Sequence, residues 1–149
     1  MSESDFIKGF RLLQEGRFVE ATAAFKEALK QQPDLAEAHY NLGNAYIGLR
    51  DYPQALAAYQ EAIRLKPSFV QAQTNLGFAY ARLGRHEEAV AAYREAIRVQ
   101  PDFVEAYMQL GLEYLEHEEC EQAVAPLGEA IRHDQIGRAS CRERVYVLV

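Results

Sequence analysis

The sequence predicts an all-α chain assembled from four helix–turn–helix units, and three observations carry that prediction. Segments beginning at Ala36, Val70 and Val104 align with one another without gaps, at a period of 34 residues. Each holds two amphipathic stretches with apolar or small residues at i, i+3, i+4 and i+7, separated by a short break such as GLRDYP or RLGRHE. Small residues keep the same beat: Gly9, Gly43, Gly77 and Gly111, then Ala21, Ala55, Ala89 and Ala123, then Ala28, Ala62, Ala96 and Ala130. A glycine inside a helix costs about 1 kcal/mol relative to alanine, so its recurrence at one position points to close approach of a neighbouring helix.

Taken in order, residues 2–35 form a diverged first unit, SESDFIKGFRLLQEGRFVEATAAFKEALKQQPDL. In the second unit, residues 36–69, Leu42, Ala45, Tyr46 and Leu49 line one stripe, and Ala55, Leu56, Tyr59, Ala62 and Ile63 line the facing one. Pro53 falls in the first turn of the second stretch, where the amide it lacks would have no intrahelical partner. The third unit, residues 70–103, follows the same pattern. Pro33, Pro67 and Pro101 close the first three units, because the residue before a proline avoids helical angles and ends the helix there. The fourth unit, residues 104–137, departs from its siblings, with Gln135 for the closing proline and Pro126 inside its second helix, where a kink is expected. The beat of small residues further predicts that leucine at Ala62 destabilises far more than leucine at Ala58.

Composition narrows the functional classes. With 49% hydrophobic and 26% charged residues in 149, the chain has the make-up of a soluble protein with one continuous core. A formal net charge of -6 argues against nucleic acid as a partner, since phosphate binders carry a basic face. No window approaches the roughly 18 apolar residues of a membrane span, and the first residues, MSESDFIKGF, lack the pattern of a secretory signal. Cys120 and Cys141 have neither the number nor the spacing of a disulfide framework or zinc site, so a cytoplasmic location is expected.

The recurring Leu42, Gly43, Tyr46, Ala55, Tyr59, Ala62 and Pro67, matched by Leu76, Gly77, Tyr80, Ala89, Tyr93, Ala96 and Pro101, strongly resemble the tetratricopeptide repeat. The fourth unit supplies Leu110, Gly111, Tyr114, Ala123 and Ala130, with Leu127 for the aromatic, whereas the first has Lys8 and Leu12 at two consensus positions. The resemblance implies antiparallel helix pairs stacked into a right-handed superhelical solenoid, whose first helices line a concave groove that holds peptides or partner helices.

On that family pattern the groove-facing residues include Glu37, Tyr40, Asn41 and Asn44 from the second unit, Asn75, Phe78 and Arg82 from the third, and Met108 and Gln109 from the fourth. Asn41, Asn75 and Gln109 lie one period apart and form a candidate amide ladder that can donate to and accept from a peptide backbone. Tyr40, Phe78 and Met108, with Phe6 and Phe10, are either pockets for a ligand or packing residues. Family members that clamp a terminal carboxylate use lysines at positions occupied here by Phe6 and Gln71, so that clamp is not expected; Glu37 and Glu105 instead favour a neutral or basic ligand.

His39, His86, His117 and His133 fall at different beats of the repeat and show no metal-ligand spacing, and Glu118, Glu119 and Glu121 beside Cys120 read as a charged turn. Neither catalysis, nor a cofactor, nor a metal site is therefore expected. The leading expectation is a protein–protein interaction scaffold that captures a peptide or helix of a partner protein. Two alternatives stay open: self-association through the apolar face of the uncapped fourth unit, and an accessory domain of a longer protein such as a glycosyltransferase or kinase. Residues 138–149 break the pattern altogether. IGRASCRERV can be encoded by ATC GGA AGA GCG TCG TGT AGG GAA AGA GTG, which resembles a sequencing adapter, so the segment from about Ile136 is read as foreign to a gene truncated there.

Overall fold

A computed structural model describes residues 3–133; the expected tail at 138–149 and the end of the fourth unit lie outside the described residues. Among the described residues eight α-helices follow one another: α1 (Asp5–Gln14), α2 (Phe18–Gln31), α3 (Ala36–Gly48), α4 (Tyr52–Leu65), α5 (Val70–Arg82), α6 (His86–Val99), α7 (Val104–Glu116) and α8 (Cys120–His133). They pack as hairpins, α1 on α2 through α7 on α8, and each hairpin stacks on the next through α2 on α3, α4 on α5 and α6 on α7. The result is a right-handed superhelical solenoid. None of the described helices is long and apolar enough to cross a membrane.

Local chemistry sets the helix ends. Ser4 caps α1 by accepting from the Ile7 amide at 3.3 Å, and Asp51 caps α4 by accepting from Gln54, with Pro53 in the first turn. Gln32, Lys66 and Gln100, each directly before a proline, adopt φ values from -133° to -138°, and α2, α4 and α6 stop there. The first helix of every hairpin closes in the same way. In α3 the Arg50 amide donates to Ile47 O and the Asp51 amide to Tyr46 O, both at 2.9 Å, a pair of bonds that requires a left-handed residue between them. Gly16 and Gly84 supply that conformation at no steric cost, whereas Arg50 (φ 58°) and Glu118 (φ 61°) adopt it against their side chains.

The recurring glycines face the second helix of their own hairpin. A Cβ on Gly43 would lie 2.5 Å from the Tyr59 ring, one on Gly77 2.6 Å from the Tyr93 ring and one on Gly9 2.9 Å from the Phe25 ring; on Gly111 it would strike Leu127. Tyr59, Tyr93, Phe25 and Leu127 are the large side chains that these bare positions admit, and all are fully buried. Of the alanines at the other two beats, Ala55, Ala62, Ala89 and Ala96 are wholly excluded from solvent. Between hairpins, Phe69 packs into the seam of α4 and α5, while Val70 packs with Ala96 and Ala106 of α6 and α7, and buried apolar residues recur along the array from Leu12 to Ala130.

One expectation changes. Ala58 is 7% exposed and packs with Leu12, Phe25 and Leu42, because α4 is covered by the preceding hairpin as well as by its own partner; the solvent-facing alanine of this helix is Ala57. Pro126 lies inside α8, as the sequence placed it, with its side chain buried next to Leu127.

Ala62→Leu is expected to lower stability by about 1–3 kcal/mol and Ala57→Leu by less than about 0.5 kcal/mol, read from urea unfolding; equal midpoints would contradict the packing described for α4. Arg50→Gly is expected to raise stability by about 0.5–1 kcal/mol by relieving the left-handed backbone, the opposite of Gly84→Ala, and thermal unfolding of the two variants reads both signs.

Candidate functional site

First helices present their i, i+3 and i+4 side chains to the concave surface, and three of them converge on one cavity of about 270 Å³. Asn44 and Ile47 come from α3, Thr74, Asn75 and Phe78 from α5, and Glu105 and Gln109 from α7, while Tyr59 reaches in from α4. Its floor is polar and ordered. The Tyr59 hydroxyl donates to Asn44 Oδ1 at 2.7 Å, and Asn75 Nδ2 donates to the same oxygen at 3.0 Å. Burial pushes the Tyr59 hydroxyl well above the ordinary tyrosine range, so it stays a neutral donor. Two donors use both lone pairs of Asn44 Oδ1. Among the described residues neither Asn44 Nδ2 nor Asn75 Oδ1 takes part in a hydrogen bond. The cavity therefore offers one donor and one acceptor from neighbouring hairpins, flanked by the apolar Ile47 and Phe78.

Of the residues expected in the groove, Asn44, Asn75, Phe78 and Gln109 come together here. Asn41 does not: it is 8% exposed and its Nδ2 donates to the Glu37 carbonyl one turn back, at 2.9 Å. An i–4 acceptor within its own helix is always in reach of such an amide, which is why spacing alone places Asn41 and Asn75 alike while their surroundings separate them. Tyr40 is half-buried and packs against Phe69 and Tyr59, at centroid distances of 4.8 and 6.0 Å, with its hydroxyl 3.5 Å from Asn75 Nδ2. Arg82 lies over the Tyr52 ring and donates to its hydroxyl at 3.4 Å. Glu37 is exposed and pairs with Lys66 at 3.7 Å, and Met108 is half-buried outside the cavity lining. Phe6 packs edge-on against Phe25 and Phe10 is exposed.

A second polar cluster was not legible from the histidine spacing. His86 opens α6, Glu113 and His117 stand one turn apart at the end of α7, and Glu119 lies in the α7–α8 turn. His86 Nδ1 is 2.9 Å from Glu113 Oε1, His86 Nε2 is 2.9 Å from Glu119 Oε1, and His117 Nε2 is 3.2 Å from Glu113 Oε1. The scattered beats of His86 and His117 misled because residues far apart in sequence meet across the α6–α7 seam. One signal was present: Glu113 holds the beat that Ala45 and Ala79 hold in the two preceding units, where both alanines are fully buried.

A family model described as tetratricopeptide repeat matches residues 9–68 and again 40–109. Among solved structures, the chain is similar to MamA at 28% identity and a TM-score of 0.83, over 88% of this chain and 77% of that one. It is similar to a thermophilic TPR protein of Thermus thermophilus at 26% identity and a TM-score of 0.80, over 96% and 80% of the two chains. It is also similar to the TPR2B domain of yeast Sti1, solved as a complex with pHsp70, at 29% identity and a TM-score of 0.67, over 76% and 91%. No curated protein sequence matches the chain.

Tyr59→Phe is expected to cost about 1 kcal/mol, because it strips Asn44 Oδ1 of a buried donor, whereas Tyr93→Phe, whose hydroxyl makes no hydrogen bond among the described residues, costs less. Chemical denaturation of the two variants checks the order.

Proposed function

The chain belongs to the tetratricopeptide repeat family, and we infer that it is an interaction scaffold that holds an extended peptide segment of a partner protein in its concave groove. The observation that carries this reading is the paired Asn44 Nδ2 and Asn75 Oδ1. A donor and an acceptor side by side complement the C=O and N–H of a peptide backbone, and they fix its direction without selecting its sequence. Ile47 and Phe78 beside them supply the apolar contact that selects side chains. Gln109, one hairpin further on, extends the amide row from Asn75. The Sti1 domain in its pHsp70 complex is a precedent for this fold holding a partner protein.

The ligand's charge follows from the same lining. Glu105 borders the cavity, and Phe6 and Gln71 stand where carboxylate-clamping relatives carry lysines, so a neutral or basic internal segment fits better than an acidic chain end.

Peptides selected from a random phage-displayed library on the immobilised chain provide the probe. Asn75→Ala combined with Gln109→Ala is expected to weaken a selected peptide by about tenfold or more, with helicity unchanged by circular dichroism. Asn44 is spared because its loss would strand the Tyr59 hydroxyl. Affinity of basic peptides is expected to fall with ionic strength. Failure to select any peptide, or unchanged calorimetric affinity in the double variant, contradicts the reading.

A further inference from the structure

We propose that His86, Glu113 and His117 form a binding site for a divalent transition-metal ion of the zinc type, at the end of the solenoid turn where α6 begins and α7 ends. The three ligand atoms lie within 4.8 Å of one another. The Glu113 oxygen stands 2.9 Å from His86 Nδ1 and 3.2 Å from His117 Nε2. Ligand atoms around a tetrahedral ion with bonds of about 2.0–2.1 Å are roughly 3.3 Å apart, so the two Glu113–imidazole distances already suit the ion, while the His86 and His117 rings, with centroids 3.9 Å apart, swing apart to admit it. Two imidazoles and one carboxylate suit zinc, cobalt, nickel or copper, and not the all-oxygen shells of magnesium or calcium.

Three further features match what such an ion needs. Glu113 is only 4% exposed, and its ion-pairing partners among the described residues are the two imidazoles, so a buried carboxylate oxygen already faces both candidate ligand nitrogens. His86 turns its other nitrogen to the Glu119 carboxylate at 2.9 Å, the outer carboxylate that fixes tautomer and ring direction in histidine metal sites. His117 is the C-cap of α7, so the negative end of the helix dipole points at the site. The His117 side chain is 43% exposed, and the fourth coordination position is reached from solvent by water or by a partner's side chain. The repeat makes the cluster stand out: the fourth unit exchanges a buried alanine for Glu113 and the leucine of Leu49 and Leu83 for His117, and the third places His86 where its neighbours have Tyr52 and Cys120.

Calorimetric titration of the untagged full chain with zinc chloride, and with cobalt followed by its visible spectrum, tests the site. The expected result is one ion per chain, a melting temperature that rises with zinc, and a cobalt spectrum of nitrogen and oxygen ligation. His117→Ala and His86→Ala are expected to abolish this binding, and Glu119→Gln to weaken it by about 10- to 100-fold with helicity unchanged. Should His86→Ala fail to fold, His117→Gln, altered at an exposed ring, decides alone. Cys120→Ser with Cys141→Ser is expected to bind as the native chain does. Absence of zinc binding, its persistence in the His117 variants, its loss in the cysteine variant, or thiolate bands in the cobalt spectrum would overturn the proposal. None of these readouts involves the peptide groove.

Discussion

Contact between a bare glycine and the ring packed on it is the constraint from which the other features follow. At Gly43 and Tyr59, and again at Gly77 and Tyr93, the first helix has no side chain where the second helix places its largest. That fit draws the two helices of a hairpin together over their length and holds the ring flat against backbone. Any Cβ at these glycines would require the ring to move, and the ring is enclosed on its other sides by the next hairpin. Packing at interior density leaves no slack for such movement, so the geometry propagates from one hairpin to the next.

Tyr59 shows how the same contact reaches function. Its ring fills the space above Gly43, and its hydroxyl emerges on the concave side to orient Asn44. A packing residue thereby sets which atoms of the groove face a ligand. Phe25 and Leu127 occupy the same beat without a hydroxyl, and the corresponding first-helix residues, Phe10 and Leu112, are apolar. The polar floor is thus confined to the middle of the array, where Tyr59 and Asn44 coincide.

Departures from the repeat carry the chemistry. A regular array needs the same residue at each buried beat, and Ala45 and Ala79 obey that rule. Glu113 breaks it, and its carboxylate is tolerated in a buried position because His86 and His117 surround it. Ion pairs such as Glu61 with Arg64 and Glu95 with Arg98 recur on the exposed surface without such consequence, since water screens them.

Sequence alone determined the number of units, the helix boundaries near Pro33, Pro67 and Pro101, and the close helix contacts at the glycine beat. These depend on short-range geometry, namely helical periodicity, turn conformation and the size of one side chain against its neighbour, and all of it repeats visibly. Tertiary structure alone decided that Asn44 and not Asn41 joins Asn75, that Ala58 is covered, and that His86 meets Glu113. Each of these outcomes turns on which of two nearby acceptors, faces or seams a side chain meets once hairpins stack. The superhelical offset between hairpins sets that choice, and one unit's pattern of residues does not contain it.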